Sequence, residues 1–158
     1  MPQVIILDTF PLSSTAKREP PLGTPGTTSD DCRLWVQDCL RAGNRVITPA
    51  ITYYETLREL ERLGASSQIA RLRAFCRARA NRFLSLTDAD IDRAARLWAT
   101  ARNAGKPTAS PDALDGDVIL AAQALGLGLP LSDFVVATTN VGHLSQFVPA
   151  ALWTDIVP

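Results

Sequence analysis

The sequence predicts an α/β protein with a central parallel sheet covered by helices on both faces. Three observations predict it. The short apolar runs Val4-Ile5-Ile6-Leu7 and Phe134-Val135-Val136-Ala137-Thr138 do not alternate with polar residues, as expected of strands buried on both sides. Segments with helical spacing of apolar residues lie between them, so strand and helix alternate along the chain. At 158 residues, 46% hydrophobic and 20% charged, the chain is long and apolar enough for one core, which predicts a single domain over residues 1–158.

The elements follow in order. Val4 to Leu7 is the first strand, and Asp8-Thr9 stands at its C-terminal end, where open α/β sheets collect ligands. Residues 13–29, with Pro20, Pro21, Gly23, Pro25 and Gly26, read as an exposed and mobile loop. A helix is expected over 30–42, capped by Ser29, with Cys32, Trp35, Val36, Cys39 and Leu40 inward and Gly43 at its end. Arg45 to Thr48 is a second strand, broken by Pro49. The next helix is expected to start near Thr52, where Thr52 and Glu55 have capping-box spacing. An arginine-rich helix is expected over 66–82, a third strand over 83–86, and a helix capped by Thr87 with Asp90 three residues on. Its apolar stripe is Ile91, Ala94, Ala95, Trp98 and Ala101. After Gly105 a Pro-containing loop leads through Ala113 into Leu114-Asp115-Gly116-Asp117 and an alanine-rich helix. The strand at 134–138 and a last short strand near 151–156 complete the pattern.

Composition narrows the function. Sixteen basic and sixteen acidic residues balance, which argues against a strong non-specific nucleic-acid binder. The charge is uneven: Arg58, Arg62, Arg71, Arg73, Arg77, Arg79 and Arg82 meet only Glu55, Glu59 and Glu61 over their stretch. Either a two-signed surface or ordinary solvated helix faces would produce this. Cys32, Cys39 and Cys76 lack metal-ligand spacing and read as buried reduced thiols of a cytoplasmic protein. No apolar run approaches a membrane span, and the N-terminus lacks the basic region of a secretory leader.

The chemistry gathers on acids. Asp115 and Asp117 open an apolar helix whose first turn offers free N–H groups and a positive dipole end. Asp115 reads as an N-cap or as a charged group near a site. Asp117 lies inside a helix expected to be buried, so its charge needs an arginine, a metal or another cation. Parallel topology would bring Asp8 and Asn140 at strand ends, and Glu55 and Asp117 near helix starts, to one edge of the sheet. Carboxylates converging there would repel one another, and a hard oxygen-seeking cation such as Mg²⁺ or Mn²⁺ is the natural compensation.

The series Leu7-Asp8-Thr9, Ile51-Thr52-Tyr53-Tyr54-Glu55-Thr56-Leu57, Asp117-Val118-Ile119-Leu120-Ala121-Ala122-Gln123-Ala124 and Thr138-Thr139-Asn140-Val141-Gly142-His143-Leu144 resembles the PIN domain family. Within it, the series is most similar to toxins of VapC type. The resemblance runs from Val4 to Trp153 and implies a three-layer α/β/α fold. It also implies a metal-dependent endoribonuclease using Mg²⁺ or Mn²⁺, a cognate antitoxin and a homodimer. The family's acidic positions fall on Asp8, Glu55 and Asp117, and its fourth on Asn140, whose carboxamide has one less charge. Asp115 is an extra acid that would restore it. Asp8 and Asp117 would hold metal directly. Glu55 would hold a second metal or orient the attacking water, and Thr9 and Thr138 would hold outer waters. His143 reads as a turn or capping residue.

Other readings stand beside this one. An aspartyl-phosphate enzyme would want an acid where Phe10 stands, and a dinucleotide-binding domain a glycine-rich loop where Asp8-Thr9-Phe10-Pro11 stands. The serious rival is a PIN-like module without activity that binds nucleic acid or protein. Asn140 and the zero net charge favour it, and the joint presence of Asp8, Glu55 and Asp117 opposes it.

Overall fold

β1 (Val4–Leu7) lies at the centre of a five-stranded parallel sheet in the computed structural model, which describes residues 3–107, 110 and 115–158. β2 (Arg45–Pro49) pairs with one side of β1 and β4 (Phe134–Thr138) with the other. β3 (Phe83–Leu84) and β5 (Ala150–Leu152) form the edges. The order β3-β2-β1-β4-β5 puts the apolar runs in the middle, where both faces are covered.

Alternation of side chains along β1 assigns the layers. Ile5 and Leu7 join Leu12 of α1 (Thr9–Ser14), Val36 and Cys39 of α2 (Thr28–Arg41), Leu60 of α3 (Ala50–Arg62) and Leu72 of α4 (Ser66–Arg77) on one face. Ile6 joins Leu120, Ala121 and Ala124 of α6 (Gly116–Gly126) and Leu144 of α7 (Val141–Leu144) on the other. α5 (Asp88–Asn103) packs outside α6 through Ala94, against Val118 and Ala122. The result is a three-layer α/β/α fold. Each fully buried aliphatic side chain of β1 contributes about 1.5–3 kcal/mol.

Several expected boundaries move, each for a local reason. Residues 9–14 form α1, capped by Asp8, so the 13–29 segment begins inside a helix; most side chains of 17–28 are exposed, but Ala16 is fully buried. Thr27, not Ser29, caps α2, because its capping box with Asp30 satisfies two N–H groups at once. α3 starts at Ala50 behind Pro49, which leaves Thr52 and Glu55 past the cap. Its Ile51 N–H donates instead to Oε1 of fully buried Gln123 at 3.1 Å, and Gln123 Nε2 donates to the Leu84 carbonyl at 3.0 Å.

α4 ends at Arg77, and a turn with left-handed Asn81 (φ 65°) precedes a β3 of only two residues. In α5 the inward side is Ala94, Leu97, Trp98 and Ala101, while Ile91 and Ala95 are exposed. β5 gives way to a 3₁₀ turn at Trp153–Asp155. Leu114, and most of the loop before it, lie outside the described residues. Cys32, Cys39 and Cys76 are free and buried, and burial pushes the first two thiols up to about 11 and about 12. Among the described residues no helix is long and apolar enough to cross a membrane.

Candidate active site

The C-terminal ends of β1 and β4 fix the first side chain. The Asp8 N–H donates to the Ala137 carbonyl at 3.0 Å, which ties the end of β1 to β4. Asp8 Oδ1 accepts the Thr9 N–H at 2.7 Å and so caps α1. Asp8 Oδ2 accepts the hydroxyl of fully buried Thr138 at 2.6 Å, and the Thr138 oxygen accepts the Asn140 N–H at 2.9 Å. A carboxylate with a donor on each oxygen has one orientation, so β4 aims Asp8 as well as flanking it.

Glu55 comes from the second turn of α3. Released from capping, its side chain reaches the start of α6, where a Cβ added to Gly116 would stand 2.9 Å from Glu55 Oε1. Glycine at this position lets the two helices share the carboxylate's space. Asp117 is the second residue of α6, and its Oδ2 lies 3.1 Å from His143 Nδ1 on α7. Asp115 is the N-cap of α6: its Oδ1 accepts the Val118 N–H at 3.2 Å, and its side chain is buried.

A cavity of about 470 Å³ joins these groups, with Asp8, Thr9, Glu55, Glu59, Asp117 and Asn140 on its wall. Its electrostatics are those of crowded acids. Burial first, and then the charge of Asp8, push the Glu55 carboxyl above its ordinary value; the Arg58 guanidinium, 4.0 Å away, works against this, and Asp117 adds to it. Burial and Asp8 likewise raise Asp117, with the His143 hydrogen bond opposing. Glu59 differs, because Arg62 holds its carboxylate at 2.9 Å from Nε.

The sequence-based candidates are thus distributed unevenly. Asp8, Glu55, Asp117, Asn140 and Thr9 line the cavity, Thr138 lies beneath Asp8, and Asp115 serves the helix cap. Sequence reasoning missed two features: Glu59 on the wall, one turn after Glu55, and the contact of His143 with Asp117. The second joins residues 26 positions apart, which no local spacing signals.

Among the described residues, no three His, Cys, Asp or Glu side chains close into a tight metal cage. The donor set nonetheless suits a hard divalent ion. All its donors are oxygens, two of its carboxyls are raised by burial and by the charge of Asp8, and Mg²⁺ binds through one or two carboxylates while keeping several waters.

A parallel three-layer fold with acids at the C-terminal strand ends defines a class of α/β protein whose ligand site lies at that edge. The PIN domain model matches residues 29–140, and the chain belongs to the PIN domain family. The match includes Glu55, Asp117 and Asn140; Asp8 precedes it and is brought in by the pairing of β1 with β4. No curated protein matches the chain. Solved structures that share its fold include the following three. VapBC-1 from nontypeable Haemophilus influenzae is 17% identical, with a TM-score of 0.62 over 96% of this chain and 99% of that one. FitAcB from Neisseria gonorrhoeae is 21% identical, with a TM-score of 0.67 over 96% and 99%. DNA-bound VapBC from Salmonella typhimurium is 18% identical, with a TM-score of 0.67 over 97% and 99%.

Proposed function

We propose that this chain is an endoribonuclease of VapC type, the toxin of a toxin–antitoxin pair, which hydrolyses RNA phosphodiester bonds with Mg²⁺ or Mn²⁺. The observation that carries the reading is the single cavity shared by Asp8, Glu55 and Asp117, in which the Glu55 and Asp117 carboxyls are pushed upward by burial and by the charge of Asp8. Carboxylates gathered without enough cations are stabilised by one that arrives. The folds of VapBC and FitAcB structures support the toxin reading and a cognate antitoxin, and the homodimer rests on the resemblance of the sequence to such toxins. Three buried free thiols agree with a cytoplasmic site of action.

Asp8 and Asp117 are the direct ligands in this reading. When bound, a divalent ion supplies positive charge against the charge developing on phosphate and acidifies water. The chain's own residues do the rest. Thr138 and the Thr9 N–H fix the orientation of Asp8, and His143 fixes that of Asp117. Glu55, raised above an ordinary carboxyl, is suited to take a proton from the attacking water. The Asn140 carboxamide contributes an oxygen without adding charge to the cluster, and Asp115 holds the start of α6.

A PIN-like module without activity is the second reading, favoured by Asn140 at the fourth acidic position. RNA cleavage by the purified chain with Mn²⁺, stopped by chelator, decides between them. Cleavage that continues in excess chelator overturns the metal mechanism, and the absence of both Mn²⁺ uptake and cleavage favours the module.

A further inference from the structure

The opposite edge of the sheet holds a second polar cavity, of about 310 Å³, where the turn before β3 meets the start of β2. Its wall carries Arg45, Arg79, Arg82, Asn44 and Asn81, and no acidic side chain is among its described residues. Neither Arg45 nor Arg79 forms an ion pair with any described residue. Three arginines line one space, and no acidic residue is among its described lining, in a chain whose net charge is zero.

Arg82 is the anchor. It is only 7% exposed, yet among the described residues no acid pairs with it and its Nε has no hydrogen-bond partner. Its guanidinium is held on Phe75: Nη1 donates to the Phe75 carbonyl at 3.0 Å, and the group lies over the Phe75 ring at 4.6 Å. Its backbone is fixed too, since its carbonyl accepts the Thr48 N–H at 2.8 Å and its N–H donates to the Arg79 carbonyl at 3.3 Å. Burial and the neighbouring Arg79 charge both disfavour its charged form. A buried charge of this kind is costly unless an opposite charge joins it. Asn44 accepts the Gln3 N–H through Oδ1 at 2.9 Å, which leaves its amide N–H groups to donate elsewhere.

We propose that the cavity formed by Arg45, Arg79, Arg82 and Asn44 binds a phosphate group of a nucleotide or of an RNA chain, at a site separate from the carboxylate cavity. Planar guanidiniums donate in pairs to phosphate oxygens, and a pre-positioned arginine loses little freedom on binding. The space exceeds that of a bare oxyanion, so a phosphate bearing a nucleoside fits the chemistry. The site does not depend on the nuclease reading, since it uses none of the same residues.

The test is calorimetry on the intact chain in chelator, so that no RNA is cut. The probes are inorganic phosphate, adenosine 5′-monophosphate and a short single-stranded oligoribonucleotide, each with the wild type and with Arg45→Gln/Arg79→Gln. Both of these side chains are exposed, so the variant should fold; Arg82→Lys with circular dichroism is the second, more buried variant. Binding of phosphate or the mononucleotide, weakened on the order of tenfold or more in the double variant, supports a free-nucleotide site. Binding of the oligoribonucleotide alone, weakened to the same degree, supports an RNA-backbone site. No binding of any probe by the wild type, or equal binding by the double variant, overturns the proposal.

Discussion

At the C-terminal edge of the sheet, Asp8, Glu55 and Asp117 share a cavity, with Arg58 4.0 Å from Glu55; at the N-terminal edge, Arg45, Arg79 and Arg82 share one with no acid among its described residues. Each edge has one charged group held by a defined bond: the Thr138 hydroxyl of β4 holds the Asp8 carboxylate, and the Phe75 carbonyl of α4 holds the Arg82 guanidinium. The difference lies in burial and sign, and it shows that the balanced net charge hides two unbalanced sites. Like charges placed together cost stability in the free chain, so each edge is poised for a ligand of the opposite sign.

Breaking the acidic edge should have the largest effect. Asp117→Asn keeps shape and removes charge, so RNA cleavage should fall on the order of a thousandfold while phosphate affinity at the arginine cavity stays at the wild-type value. Equal loss at both edges, checked by cleavage rate and calorimetry, would show that the two are one site. Thr138→Val removes the hydroxyl that aims Asp8 and keeps the side chain's shape. Cleavage should fall about 10–100-fold with the circular dichroism spectrum unchanged. Gly116→Ala introduces a methyl group against the Glu55 carboxylate, which is free to swing aside. The melting temperature should stay near wild type while cleavage drops about tenfold.

The smallest effect concerns stability without metal. Folding raises the Glu55 and Asp117 carboxyls, so over that range the folded chain binds more protons than the unfolded one. Metal-free stability should therefore fall as pH rises from the unfolded carboxylate range, about 4, through the folded values. Glu55→Gln removes its share of the decline. In chelator it should melt a few degrees above wild type at neutral pH, and the difference should vanish below about pH 3. A variant that melts below wild type at neutral pH would mean that Arg58 outweighs the crowding.

The sheet was readable because its central strands announce themselves: Val4–Leu7 and Phe134–Thr138 are apolar on both faces, and tertiary packing needs nothing else from them. α1 was hidden because Pro11 and two serines make a six-residue helix look like the start of a loop. The Thr52–Glu55 capping box was a false competitor; a buried glutamine from another helix serves the start of α3, a long-range bond that local spacing does not carry. Asp117 was legible from its place in an apolar helix. The arginine excess was legible as composition, but its gathering around one cavity depends on how the turn after α4 meets β2. His143 reads from the sequence as a turn or capping residue, because the fold that brings it to Asp117 is not written in its neighbours.

The central claim is that Asp8, Glu55 and Asp117 form one cation site. The measurement that tests it most directly is Mn²⁺ titration by calorimetry of the wild type, Asp117→Asn and Asp115→Asn. Asparagine caps a helix about as well as aspartate. Saturable binding by the wild type and by Asp115→Asn, with binding lost in Asp117→Asn, is the predicted result. Mn²⁺ binding that survives Asp117→Asn and disappears in Asp115→Asn would contradict the account and move the site to the helix cap.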